Sequence, residues 1–115
     1  MKLLRLGQKG KEKPAVLDNG GKIRDISSHV EDLNPHYLNF ETISKLQGTD
    51  LSTLPELPST ERIGSCITKP GKFVAIGLNF SDHAKESNLP VPTEPITFMK
   101  ATSSINGPND DIELV

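Results

Sequence analysis

Short apolar runs alternate along the chain with clusters of Gly, Pro, Asn and Asp, a rhythm that predicts small elements joined by tight turns. Residues 2–6 and 15–17 read as strands, and Asp18-Asn19-Gly20-Gly21 ahead of Ile23 offers the positive-φ positions of a hairpin turn. Three small strands are therefore expected within residues 1–30. Ile23, Ile26, Val30 and Leu33 drift toward helical spacing, with Ser27 or Ser28 as a cap ahead of Glu31, and predict a short helix. Phe40, Ile43, Leu46 and Leu51 form a second amphipathic stretch, with Asn39 as its N-cap and Gly48 as its stop.

Leu54-Pro55-Glu56-Leu57-Pro58-Ser59-Thr60 reads as an extended connector, because each proline fixes φ and removes an amide donor. A boundary here divides the chain into a small leading domain, 1–58, and the beginning of a second, 59–115. After the turn Lys69-Pro70-Gly71-Lys72, the continuous apolar run 73–77 suits a strand buried on both faces. Residues 79–88 read as a helix, Leu89-Pro90-Val91-Pro92 as an extended exit and 96–99 as another strand. Asn106-Gly107-Pro108-Asn109-Asp110 is a turn, after which Ile112, Leu114 and Val115 begin a further strand-like run that the end of the chain cuts off. The fold class expected is α+β: a small domain of antiparallel strands and two helices, then the first strand, helix and strand of a β-rich domain.

An apolar fraction of 34% in 115 residues allows a modest core. Thirteen basic and fifteen acidic side chains, with no long block of either sign, leave no electrostatic footprint for nucleic acid or anionic lipid. In MKLLRLGQKGKEKP most lysines follow the apolar residues, the wrong order for a secretory signal, and no stretch approaches the length of a membrane span. A lone cysteine, Cys66, forms no intrachain disulfide, so the cytoplasm is the expected compartment; Asn79-Phe80-Ser81 matches a glycosylation acceptor that matters only in a secreted chain.

Candidate chemistry concentrates after the apolar run 73–77, in Gly77-Leu78-Asn79-Phe80-Ser81-Asp82-His83-Ala84-Lys85-Glu86. Asn79 is placed to cap the helix, with Asp82 completing a box-like arrangement that suits the helix dipole. His83 and Glu86 stand at i and i+3 and share a face. A carboxylate accepting the proton of one imidazole nitrogen fixes the tautomer and leaves the other nitrogen as a base toward water. The same spacing also describes an ordinary solvated surface pair. Cys66 lacks an activating neighbour and reads as a small buried or half-buried hydrophobe. His29 and His36 lack metal spacing and read as turn or surface residues, and Gly20-Gly21 has no following Lys-Ser/Thr for phosphate.

The longer string from Lys69-Pro70-Gly71-Lys72 through Gly77-Leu78-Asn79-Phe80, His83-Ala84 and Glu86 resembles the fumarylacetoacetate hydrolase family. The resemblance continues through Glu94-Pro95-Ile96-Thr97-Phe98-Met99-Lys100, Thr102-Ser103-Ser104 and Gly107-Pro108-Asn109-Asp110. Residues 1–27 look like the small leading domain of the bacterial members, which are variously labelled hydratase, 2-hydroxyhepta-2,4-diene-1,7-dioate isomerase, ureidoglycolate lyase or diketo-deoxy-sugar-acid hydrolase. The resemblance implies an enzyme using Mg²⁺ or Mn²⁺, in which the metal holds the oxygens of a keto or diketo acid and stabilises an enolate. It implies His83 as the base and Glu86 as its orienter, with Lys100, which reads equally as an exposed solubilising charge at a strand end, and Ser103 on the substrate side, and a homodimer as the assembly.

The family's metal ligands, a close pair of glutamates and then an aspartate, fall beyond the matched region; Glu113 lies too early in the pattern and reads as an outward strand residue, and Asp110-Asp111 as part of a turn. Residues 1–115 alone are thus expected to bind metal poorly and to hydrolyse no acylpyruvate. The alternative is a non-catalytic module that folds alone and binds a partner, which would leave Val74, Ile76, Phe98 and Val115 without cover.

Overall fold

The computed structural model describes residues 1–114, so Val115 and its place in the terminal apolar run lie outside the described residues. Six strands and two α-helices follow one another as β1 (Lys2–Leu6), β2 (Lys13–Leu17), β3 (Ile23–Asp25), α1 (Phe40–Gln47), β4 (Glu56–Leu57), β5 (Phe73–Gly77), α2 (Ser81–Glu86) and β6 (Ile96–Lys100). The chain is a small α+β structure with antiparallel sheets. One compact unit comprises Met1–Pro70 and the chain from Ile105 onward; the other is Gly71–Ser104.

In the first unit β1-β2-β3-β4 form one antiparallel sheet, with Leu4 opposite Ala15 and Ile23 opposite Leu57. The β2–β3 turn is set by Asp18, whose Oδ1 accepts from the amides of Gly20 and Lys22, each at 2.8 Å, while Gly21 adopts φ +79°. Successive residues of β2 point to opposite faces. Val16 joins Ile26, Val30, Leu33 and Leu46 in one buried cluster, and Ala15 joins Leu6 and Ile23 in another. The strand buried on both faces is therefore β2 rather than the expected β5.

The helix expected around Ile26 to Leu33 does not form. Asp25 Oδ1 takes the Ser27 amide at 2.8 Å and Asn34 Oδ1 takes the His36 amide at 2.9 Å, so short polar side chains compete for the backbone and leave turns. The apolar spacing nonetheless marked core positions, since Ile26, Val30 and Leu33 are all buried. Helix α1 forms where expected, with Asn39 as N-cap accepting from Thr42 N–H at 2.9 Å. Gly48 closes it with φ −83°, without the left-handed turn that glycine permits. The leading unit thus has one α-helix and a 3₁₀ turn, Leu51–Thr53, in place of two helices. The proline-rich connector contributes β4, docked on β3 by the bond from Asp25 N–H to Pro55 C=O at 2.8 Å. No strand follows the 106–110 turn within the described residues: Ile112 and Leu114 are exposed and irregular.

Candidate functional site

The second unit is a two-stranded antiparallel sheet, β5 with β6, in register from Phe73↔Lys100 to Gly77↔Ile96, with α2 in the connection. Burial along β5 alternates rather than running through both faces: Val74 and Ile76 are 54% and 45% exposed, and all of β6 is exposed. Leu78 turns the chain from β5 toward α2 with φ +48°, a left-handed conformation uncommon outside glycine. Asn79 does not cap the helix; Phe80 is the N-cap residue and makes no side-chain cap bond, so the expected Asn79–Asp82 box is absent and α2 is confined to Ser81–Glu86. At the far end Asn88, at φ +53°, ends the helix while Leu89 N–H reaches Ala84 C=O at 2.9 Å.

Ala84 is buried, and His83 and Glu86 flank it on the exposed side of α2, one turn apart. Among the described residues no hydrogen bond or ion pair joins His83 to Glu86, and the ion pair on this helix is the exposed Lys85–Asp82 contact at 3.7 Å. Lys100 ends β6 with its ammonium 5.7 Å from the centre of the Phe73 ring, its cross-strand partner. Ser103 is exposed in the 3₁₀ turn Thr102–Ser104. An open cavity of about 270 Å³ borders the strand–helix junction, lined by Gly77, Leu78, Asn79, Ser81 and Glu94 among others; neither His83 nor Glu86 lines it. The four candidate residues thus belong to one unit, with His83 and Glu86 sharing a helix face and no polar bond linking the set.

Among the described residues no group of three or more His, Cys, Asp or Glu side chains is arranged to hold a metal ion. Asp110 is engaged by Arg62, and Glu113, which lies in no strand, pairs with Lys9. The residues present do not fit a divalent-cation centre. Cys66 is exposed, contrary to the expected half-buried role, and His29 and His36 are exposed.

The polar cluster that sequence reasoning missed lies in the first unit. Arg5, only 6% exposed, donates from Nε to Asp32 Oδ1 at 2.6 Å and from Nη2 to Asp32 Oδ2 at 3.0 Å and Glu12 Oε2 at 3.3 Å. The other oxygen of Glu12 accepts from Arg62 Nη1 at 2.8 Å, and Arg62 Nε donates to Asp110 Oδ1 at 2.8 Å. Burial pushes the Glu12 carboxyl up, but hydrogen bonds from Arg62 and the backbone, together with the charge of Arg5, outweigh it and hold the group below its ordinary 4.5. The Arg62 hydrogen bond likewise lowers Asp110, and the bond with Asp110, then Glu12, raises the Arg62 guanidinium. Apart from Arg5 and Glu12, seven residues apart across the β1–β2 loop, the partners are separated by 27 to 50 residues and leave no local signature; the nearest signal was the 106–110 turn.

A strand, a left-handed leucine, a short helix and a returning strand define an α+β module whose kinship is visible in three comparisons. Residues 72–115 match the family described as fumarylacetoacetate (FAA) hydrolase C-terminal. Proteins of Burkholderia ambifaria and Burkholderia orbicola, each provisionally named a hydrolase, are 51% identical to it over 114 residues. That similarity covers 99% of this chain but only 40% of each relative. A crystal structure from Mycobacterium smegmatis, of a protein provisionally named HpcE, is similar over 100% of this chain and 41% of its own, with 27% identity and a TM-score of 0.68. The chain therefore spans about two fifths of the length of these relatives.

Proposed function

We propose that this chain is the N-terminal portion of an enzyme of its relatives' length that hydrolyses a C–C bond in a diketo or acylpyruvate-type acid, with isomerisation or decarboxylation of a related keto acid as sister reactions. The observation carrying this reading is that the family match at 72–115 spans His83 and Glu86 on one exposed face of α2. In the reaction His83 takes a proton from water while Glu86 accepts the hydrogen bond of the other imidazole nitrogen and fixes the tautomer. That bond is absent in the described residues and forms, on this proposal, when the remainder of the enzyme covers the helix. Lys100, an exposed cation at the end of β6, and Ser103 bind the carboxylate of the acid.

A divalent cation, Mg²⁺ or Mn²⁺, is proposed for the complete enzyme only, since the residues described here do not fit one. A homodimer located in the cytoplasm is proposed with it; no helix among the described residues is long and apolar enough to cross a membrane. The stand-alone interaction module has no observation in its favour, and the open faces of Val74, Ile76 and Phe98 weigh against it.

The test assays the full-length protein on a panel of diketo acids, with and without added Mg²⁺, beside His83→Ala and Glu86→Gln. His83→Ala should lower turnover by about 10²–10⁴-fold, the contribution of a positioned base, and Glu86→Gln by less. Undiminished turnover in His83→Ala would overturn the assignment of the base.

A further inference from the structure

We propose that Arg62 is the bolt of a two-way clasp: its guanidinium, beside the exposed Lys9–Glu113 pair that also joins the β1–β2 loop to the chain beyond residue 110, couples docking of residues 105–110 to ordering of that loop, residues 7–12, so that both lock or release together. On one side Arg62 Nη1 donates to Gly7 C=O at 3.0 Å and to Glu12 Oε1 at 2.8 Å. Gly7 N–H returns a bond to Arg62 C=O at 2.9 Å, and Glu12 Oε2 takes Gly10 N–H at 3.0 Å. On the other side Nε and Nη2 form a fork on the Asp110 carboxylate, whose Oδ2 also takes Gly107 N–H at 3.0 Å. A guanidinium is planar and rigid, so its two edges cannot be reoriented independently.

Two glycines close the approach. A Cβ on Gly64 would stand 2.8 Å from Glu12 Oε1, and one on Gly107 would stand 2.7 Å from the carbonyl oxygen of Ile63, a backbone atom with little room to move. Arg62 and Asp110 are 48 residues apart, and the whole unit Gly71–Ser104 falls between them in sequence. The coupling is reciprocal by linkage: whatever loosens one side loosens the other.

Amide hydrogen exchange of the 115-residue chain, read residue by residue, tests the clasp with Asp110→Asn. Exchange should quicken at Gly107 and also, across the guanidinium, at Gly7 and Gly10 by about five-fold or more. Gly107→Ala retains every charge but lodges a methyl against the Asp110 carboxylate and the Ile63 carbonyl oxygen, displacing the fork, and should give the same pattern. If Asp110→Asn unfolds the unit outright, seen as lost protection at Leu4 in β1, Gly107→Ala carries the comparison at the same two amides. Faster exchange confined to residues 105–110, with Gly7 and Gly10 at wild-type rates, overturns the proposal.

Discussion

Arg5 sits in a nearly closed site where each edge of its guanidinium meets an acceptor: Asp32 takes a two-point contact, and Glu12 and the carbonyl of Ser65 take the rest. Replacing it with an uncharged residue leaves Glu12, whose side chain is 5% exposed, without one of its two cationic partners and Asp32 without its fork. Arg5→Met should therefore destabilise the chain by about 3 kcal/mol or more, as expected when one partner of a buried charge cluster is removed. Urea unfolding followed by circular dichroism measures this, with Lys45→Ala as a control; the exposed Lys45–Glu41 pair should leave the midpoint unmoved. Single residues were legible where their chemistry is local. Asn39 precedes an amphipathic run and caps it, and Asp18 precedes two glycines and closes their turn. Cys66 and the Arg5 cluster were not, because exposure and ion pairing there depend on partners far away in sequence.

At the scale of elements, the two α-helices start differently although both were expected to begin on asparagine. Asn39 Oδ1 satisfies a free amide of α1, whereas α2 begins at Ser81 after an uncapped Phe80, and Asn79 remains in the turn created by Leu78. Asn39→Ala should cost about 1 kcal/mol in thermal or urea unfolding. Asn79→Ala should stay within about 0.5 kcal/mol of wild type, as a substitution that removes no cap. Equal losses in the two variants would show that the uncapped start of α2 is misassigned. The same distinction explains which elements the pattern revealed: β1 and β6 are framed by turn signals and α1 by its cap, and all three lie where expected. Strand β4 was hidden because a two-residue ladder is created by its partner β3 rather than by its own sequence. The segment from Ile26 to Leu33 kept its burial and lost its helix, since burial follows the apolar residues while the backbone follows the competing Asp25 and Asn34 side chains. In β5, five apolar or small residues predicted two covered faces, yet Val74 and Ile76 are exposed, so among the described residues nothing is packed over their face of the strand.

For the whole molecule, the first unit is held by carboxylates that are better stabilised as anions in the fold than in the unfolded chain. Glu12 lies below its ordinary 4.5, and Asp110 and Asp18 below 3.8; Arg62 is the chief cause at Asp110, and the Lys22 amide, then Arg24, at Asp18. A depressed folded-state value means that the unfolded chain binds protons first as the solution is acidified. The stability these groups contribute is complete above their ordinary values and is lost as pH falls through the lower folded-state ones. The urea midpoint should therefore be flat near neutrality and decline from about pH 5 downward, as this linkage requires. Glu12→Gln separates Glu12 from the rest: its midpoint should be lower than wild type at neutral pH, and the gap should narrow on acidification because the variant has one fewer proton to take up. Asp18→Asn and Asp110→Asn should show the same narrowing over a window beginning lower, since their ordinary value is 3.8. Parallel pH profiles for wild type and Glu12→Gln would mean that Glu12 titrates alike in both states, which is incompatible with a carboxylate held between Arg5 and Arg62.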